Sequence, residues 1–206
     1  MAEKSLKRSA GSESEPVSLS DRAIENLEFI RSTMERSGNF TAVPGLGGVL
    51  MGLTAVAAAF IANRAADREQ VLIVWLAEAV LAFSIGLLAI WHKSQIIGSE
   101  LNSLAARKFA AGFLPPVLCG VALTAGLWKH GLYQLMAPAW ILLYGAAVIG
   151  GGLFSVKVVP LMGWCFLFIG AISVFLPAEL SDEMMALSFG ILHIVFGIII
   201  AKKYGG

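Results

Sequence analysis

The sequence predicts an all-α protein, a polytopic transmembrane bundle of six helices preceded by a short amphipathic cytosolic helix. Hydrophobic residues make up 57% of the chain and charged residues 14%, against about 45–50% and about 25% in ordinary globular proteins. Six apolar stretches each approach the roughly 20 residues that a helix needs to cross the hydrocarbon core. The basic residues concentrate in alternate connections. A soluble fold of 206 residues would have too few charges to cover its surface, so lipid must solvate much of this chain.

The first part of the chain is polar and precedes the apolar stretches. Residues 1–19 are rich in Ser, Glu and Lys, and they lack the apolar surface that offsets the entropy of ordering, so we expect a disordered tail. Residues 20–38 show helical periodicity, because apolar side chains such as Ile24 and Leu27 recur on one face. We expect this amphipathic cytosolic or interfacial helix to lie on the membrane, pack under the bundle or bind a partner.

The transmembrane domain is expected over residues 43–201. Backbone amides in lipid must be satisfied within the segment, so the long apolar stretches predict helices. The predicted spans are 43–62, 71–91, 110–128, 135–154, 158–177 and 184–201, with a cytosolic tail at 202–206. The longest connection, residues 92–109, is expected to contain a short interfacial helix. The pair Pro115–Pro116 is expected to kink the third span or delay its start.

The positions of Lys and Arg predict the orientation, because these residues favour the cytoplasmic side near the ends of spans. With the N-terminus inside, the basic residues of the inner segments are Arg22, Arg31, Arg36, Lys93, Arg107, Lys108, Lys157, Lys202 and Lys203. Those of the outer segments are Arg64, Arg68 and Lys129. The sequence therefore predicts a multi-pass protein of the cell (inner) membrane with both termini in the cytoplasm.

Glycine is abundant, at 22 residues, and most of it lies within the spans. Helices in lipid lack a hydrophobic drive to associate, so small residues that let backbones approach mark the helix interfaces. The glycines with packing spacings are Gly48 and Gly52 in the first span, Gly163 and Gly170 in the fifth, and Gly190 and Gly197 in the sixth. We expect the fifth and sixth helices to pack closely on each other and the first helix to pack on the bundle.

The first and fourth spans share a glycine-rich pattern. They read GLGGVLMG and GAAVIGGG, which fits either two inverted three-helix halves, as in many transporters, or shared composition. Both interpretations are open at this level.

Ionisable residues inside spans are costly and are candidate functional sites by default. Glu78 lies in the second span and His193 in the sixth, and Tyr144 lies at a similar depth in the fourth. Glu78 shares a helical face with Ala89, which indicates that its side chain points inward. His193 shares a face with Gly190, so we expect the imidazole to point inward as well. A hydrogen-bonded Glu78–His193 pair, with Tyr144 beside it, is geometrically possible. Such a site could relay a proton or bind a polar ligand, or it could hold the helices together without a further role.

Metal ions, cofactors and catalysis are not indicated. The histidines His92, His130 and His193 have no pair at ligand spacing, and no phosphate-binding motif stands in a strand–helix context. Cys119 and Cys165 lie in apolar runs and are expected to serve as small apolar residues. The sequence therefore predicts a protein that is not an enzyme, with no metal and no cofactor.

Two functions fit these features. The first is a non-enzymatic scaffold or membrane partner of a cytosolic protein, bound through residues 20–38. The alternative is a small transporter or channel subunit that uses Glu78 and His193. The expected partners are the lipid bilayer, a cytosolic protein and further copies of this chain. The net charge of +1 gives no attraction to nucleic acid, and none is expected as a partner.

Overall fold

A computed structural model gives the architecture of most of the chain. It describes Ile24 and residues 26–29, 40–98 and 101–204. The chain divides into two units, residues 1–37 and residues 38–206, and each is considered by itself.

The first unit is described at five positions only. Ile24 and residues 26–29 are helical, and their side chains are exposed. The rest of the predicted helix over residues 20–38 and the predicted tail over residues 1–19 lie outside the described residues. Both stay predictions.

The second unit is built from helices, and its described part has no strand beyond one bridge between Phe40 and Ser155. The helices are α1 Gly45–Ala62, α2 Arg68–Ile97, α3 Leu104–Lys129, α4 Met136–Gly152, α5 Val158–Ser173, α6 Ser181–Met185 and α7 His193–Tyr204. Short 3-10 turns, Tyr133–Leu135 and Ala178–Leu180, precede α4 and α6. A π-helix, Ala186–Leu192, joins α6 to α7. The all-α prediction is confirmed for the described residues.

Five helical runs in the described residues are long and apolar enough to cross a membrane. They are Gly45–Ala62, Arg68–Ile97, Leu104–Lys129, Tyr133–Gly152 and Ala178–Tyr204. The last of these runs contains α6, the π-helix and α7, and is called the last helical run below. The helix α5 is apolar too, but with 16 residues it is shorter.

The connection between α2 and α3 is much shorter than the sequence predicted. The helix α2 continues to Ile97 and ends at Gly98, which has a left-handed φ of 63°. The helix α3 begins at Leu104, where the Ser103 hydroxyl accepts a hydrogen bond from the amide of Ala106 at 3.2 Å. The expected interfacial helix within residues 92–109 is therefore wrong, because the ends of two long helices occupy most of that segment.

The two prolines of the third span lie inside α3. They neither end the helix nor delay its start, which precedes Pro115 by eleven residues. Each proline removes one backbone hydrogen bond within the helix, but neighbouring groups in a membrane bundle satisfy the freed carbonyls, so proline is tolerated there. One of the affected turns contains Gly112, whose backbone meets that of Gly150 in α4.

Two helices are central to the packing. The helix α1 packs against α2 and against the last helical run, and α4 packs against α3 and α5. The last helical run also contacts α4 and α5 and so joins the two groups. Ile141 of α4 and Phe166 of α5 are fully buried and belong to the hydrophobic core of the bundle.

The glycine seams lie against the central helices. A Cβ added at Gly52 would lie 2.6 Å from the carbonyl oxygen of Gly190, and one at Gly48 would lie 3.4 Å from the Cα of Gly197. The first helix therefore packs closely on the last helical run, as part of the bundle.

The fifth helix uses its glycines differently from the prediction. A Cβ at Gly163 would lie 2.8 Å from the carbonyl oxygen of Gly145, and one at Gly170 would lie 2.8 Å from Cγ of Leu142. Both partners belong to α4. The predicted close packing of the fifth and sixth helices on each other through their glycines is wrong. The glycines of α5 pack on α4 and those of the last helical run pack on α1, and both of these central helices are rich in small residues.

These contacts predict a clear difference between two helical glycines. The substitution Gly52→Ala places a methyl group against backbone atoms of the last helical run, so we expect it to lower the free energy of unfolding by about 1–3 kcal/mol. The matched substitution Gly126→Ala enters open space and should be neutral or slightly stabilising, since alanine is the better helix former. Thermal denaturation in detergent, followed by intrinsic fluorescence, compares the two. Equal melting temperatures would contradict the seam.

Candidate functional site

The face of α2 that meets α1 carries polar and small residues. Trp75, Glu78, Gly86, Ala89 and Lys93 recur at helical spacing. Ala89 lies opposite Gly47, and a Cβ at Gly86 would lie 3.5 Å from Sδ of Met51. The predicted inward position of Glu78 and Ala89 on a single face agrees with these contacts.

Glu78 is buried, with 8% of its surface exposed. Its Oε1 lies 2.8 Å from the hydroxyl oxygen of Thr54 in α1, and the two groups are hydrogen-bonded. The same hydroxyl lies 2.9 Å from the carbonyl oxygen of Met51 in a hydrogen-bonding geometry. Sequence reasoning missed Thr54. The available signal was a hydroxyl side chain near the middle of an apolar span, nine residues after the start of α1.

His193 is also buried, with 5% of its surface exposed. Its Nε2 lies 2.8 Å from the hydroxyl of Tyr144 in α4, and the two groups are hydrogen-bonded. Its Nδ1 has no hydrogen bond of good geometry among the described residues, although the backbone carbonyls of Ser188 and Phe189 lie near the ring. The predicted inward position of His193 and its neighbourhood with Tyr144 thus agree with the structure.

Aromatic rings surround the imidazole. The ring centroid of His193 lies 5.4 Å from those of Tyr144 and Phe166 and 6.1 Å from that of Phe189, which is nearly parallel to it. Tyr144 itself lies 4.9 Å from Phe189 and 5.0 Å from Phe166, centroid to centroid. The Tyr144–His193 pair therefore occupies an aromatic, largely water-free part of the bundle.

The expected hydrogen bond between Glu78 and His193 is not formed within the described part of the chain. Glu78 faces α1, whereas His193 faces α4 and α5. The cause lies in the π-helix Ala186–Leu192, which ends directly before His193. A π turn holds more residues than an α turn, so the residues after it lie on a different face of the helix from the one that α-helical spacing predicts. Assigning His193 to a face by α-helical spacing from Gly190 could not account for this.

Two further polar contacts fasten α2 to the last helical run. Near the start of α2, Nε1 of Trp75 donates to Oδ1 of Asp182 at 2.8 Å. Near its end, the buried ammonium group of Lys93 donates to the carbonyl oxygens of Val43 at 2.8 Å and Tyr204 at 3.0 Å. The sequence places Lys93 in a connection, and only the extension of α2 beyond residue 91 shows its structural role.

A cleft of about 450 Å³ lies between α2 and α3. Its lining is almost wholly apolar and includes Leu72 of α2, Val121 of α3 and Trp140 of α4. Nε1 of Trp140 donates to the hydroxyl of Thr124 at 2.8 Å on the α3 side.

Long apolar helices, seams of small residues and buried polar contacts are the features of a helical membrane protein. No family model, no curated protein and no solved structure matches the chain. The function therefore has to be inferred from the geometry of the bundle and its polar contacts.

Proposed function

We propose that the chain crosses the cell (inner) membrane six times, with both termini in the cytoplasm, and serves as a small transporter subunit. The span that is added to the five long helical runs is α5, the fifth in chain order, whose 16 residues cover about 24 Å at 1.5 Å per residue. The apolar residues 174–177 that follow extend it toward the roughly 30 Å of a hydrocarbon core. The excess of Lys and Arg in the inner segments supports the orientation.

The packing pattern supports two halves of three helices each. When α1, α2 and α3 are matched in order with α4, α5 and the last helical run, the α1–α2 contact corresponds to the α4–α5 contact. In the same way, the contact of α1 with the last helical run corresponds to the contact of α4 with α3. Halves with an odd number of spans have opposite orientations in the membrane, which is the arrangement of many secondary transporters.

The observation that carries the proposal is a buried polar pair at the middle of each central helix. Thr54 lies nine residues after the start of α1 and holds Glu78. Tyr144 lies eight residues after the start of α4 and holds His193. Transporters built from inverted halves place their binding groups near the membrane midplane, often beside helices that depart from α geometry, and the π-helix before His193 is such a departure.

The described conformation is closed around these pairs. Trp75–Asp182 and Lys93–Tyr204 fasten both ends of α2 to the last helical run, and aromatic rings surround His193. Six short spans leave little room for a wide aqueous path, so we propose that the working unit is an oligomer of this chain, with a narrow path in each copy.

The proposed topology predicts a pattern of cysteine labelling. In a chain with Cys119 and Cys165 replaced by alanine, single cysteines at Asn63→Cys and Glu179→Cys should react with a membrane-impermeant maleimide in intact cells. Lys157→Cys should react only after the membrane is permeabilised, because it lies in an inner connection. Labelling of Lys157→Cys from outside, or protection of Glu179→Cys, would rule out six spans in this orientation.

The transport function predicts solute-dependent currents or fluxes from the reconstituted chain. Proteoliposomes on a solid-supported membrane are exposed to a panel of amino acids, organic acids, amines and sugars. Glu78→Gln and His193→Gln should reduce the response about tenfold or more. The reason is that the amide of glutamine can neither carry the charge nor exchange the proton of the side chain that it replaces, and a tenfold loss corresponds to about 1.4 kcal/mol.

The controls change the same residue types at exposed positions, Glu69→Gln and His130→Gln, and should respond as the unchanged chain does. Equal responses in all four variants would remove Glu78 and His193 from the mechanism. No response to any solute would contradict the transport function.

A second candidate is a membrane partner of a cytosolic protein. It is favoured by exposed apolar side chains in the described part of the first unit, where Ile24 is 52%, Leu27 66% and Phe29 70% exposed. Deleting residues 1–38 should then remove specific proteins from those that co-purify with the detergent-solubilised chain. An unchanged set after deletion would contradict this function.

A further inference from the structure

We propose that transport by this bundle is coupled to protons, and that the Glu78 carboxylate with the Thr54 hydroxyl is the proton-binding site. The proposal rests on the transport function above and names its coupling ion. It is carried by the hydrogen-bond geometry at the α1–α2 seam.

The Thr54 hydroxyl meets two acceptors. Its oxygen lies 2.8 Å from Oε1 of Glu78 and 2.9 Å from the carbonyl oxygen of Met51. A hydroxyl carries one hydrogen, and an ionised carboxylate accepts but cannot donate. With Glu78 ionised, one of the two short contacts has no hydrogen. With Glu78 protonated, the carboxylic acid donates to Thr54 Oγ1 and Thr54 donates to Met51, so both contacts are hydrogen bonds.

Across the seam, Glu78 is hydrogen-bonded to the neutral hydroxyl of Thr54 in α1. The last helical run approaches α2 through Asp182, a second carboxylate, at Trp75 one turn earlier. Lys93 lies fifteen residues further along α2, about 22 Å away at 1.5 Å per residue. A membrane interior disfavours an ionised carboxylate, so a proton is the ion that fits.

Protonation is linked to packing through Met51. The backbone carbonyl of Met51 accepts from Thr54, and its side chain lies against Gly86 of α2. When the proton leaves, the O–H bond of the carboxyl group breaks, a water molecule outside the seam accepts the proton, and Thr54 turns its hydrogen from Met51 to the carboxylate. The resulting anion is buried in the seam and is stabilised when the seam opens to water. Proton release therefore favours separation of α1 from α2, and proton binding favours the closed bundle.

Infrared difference spectroscopy of the full chain in lipid nanodiscs tests the site without any solute. We expect the C=O stretching band of a protonated carboxylic acid at neutral pH, shifted in deuterium oxide, lost in Glu78→Gln and kept in Glu69→Gln. Thr54→Val should move the band because its hydrogen-bond acceptor is removed, whereas Thr54→Ser should leave it in place. The two Thr54 variants keep the test valid if Glu78→Gln does not fold.

Several results would overturn the proposal. The first is the absence of any such band that depends on Glu78, and the second is a band that Thr54→Val leaves unmoved. A third is a solute flux that does not change with an imposed pH gradient, which would remove the coupling while leaving transport intact. A proton band in a chain that moves no solute would instead overturn the transport function on which the coupling rests.

Discussion

Close backbone approach along the two central helices is the constraint on which the rest of the structure depends. Apolar helices gain nothing from leaving lipid for one another, so association needs contacts that lipid cannot supply. Gly52 against Gly190 and Gly163 against Gly145 allow such contacts. Both α1 and α4 present small residues toward two neighbours each, and this explains why they became the centres of the two groups of helices while α2 and α3 lie at the periphery.

The polar contacts follow from the same seams. Once α1 and α2 approach closely, a polar side chain on that face loses both water and lipid headgroups and must find a partner across the seam. Glu78 finds Thr54, and Lys93 finds two backbone carbonyls where α1 begins and the last helical run ends. The carbonyl of Tyr204 lies at the C-terminal end of a helix, where the negative end of the helix dipole favours a cation. The Lys93 contact therefore links the end of the last helical run to the segment before α1, and it sets the relative position of α2.

The position of α1 could be predicted from the sequence, whereas the lengths of α2 and α3 and the identity of several neighbours could not. Hydropathy locates α1 to within two residues at its start, because the length of a span is set by the thickness of the bilayer. Burial of Glu78 follows from α-helical spacing, since α2 is regular over its length. The partner of His193 could not be predicted in the same way, because the π-helix before it changes the helix face on which the imidazole lies, and no residue pattern predicts a π turn. The partners of Gly163 could not be predicted either, because a glycine seam indicates close packing but not which helix packs against it.

The two polar pairs are unlike in a way that bears on function. Tyr144 and His193 lie among aromatic rings that hold the imidazole in one orientation, and their contact is complete with one hydrogen between the two groups. The Thr54 hydroxyl, by contrast, meets two acceptors with one hydrogen, so its arrangement depends on whether Glu78 carries a proton. In the proposed transporter, the Tyr144–His193 pair therefore holds a fixed geometry between α4 and the last helical run. The Thr54–Glu78 pair exchanges the proton, and the seam that responds to it lies between α1 and α2.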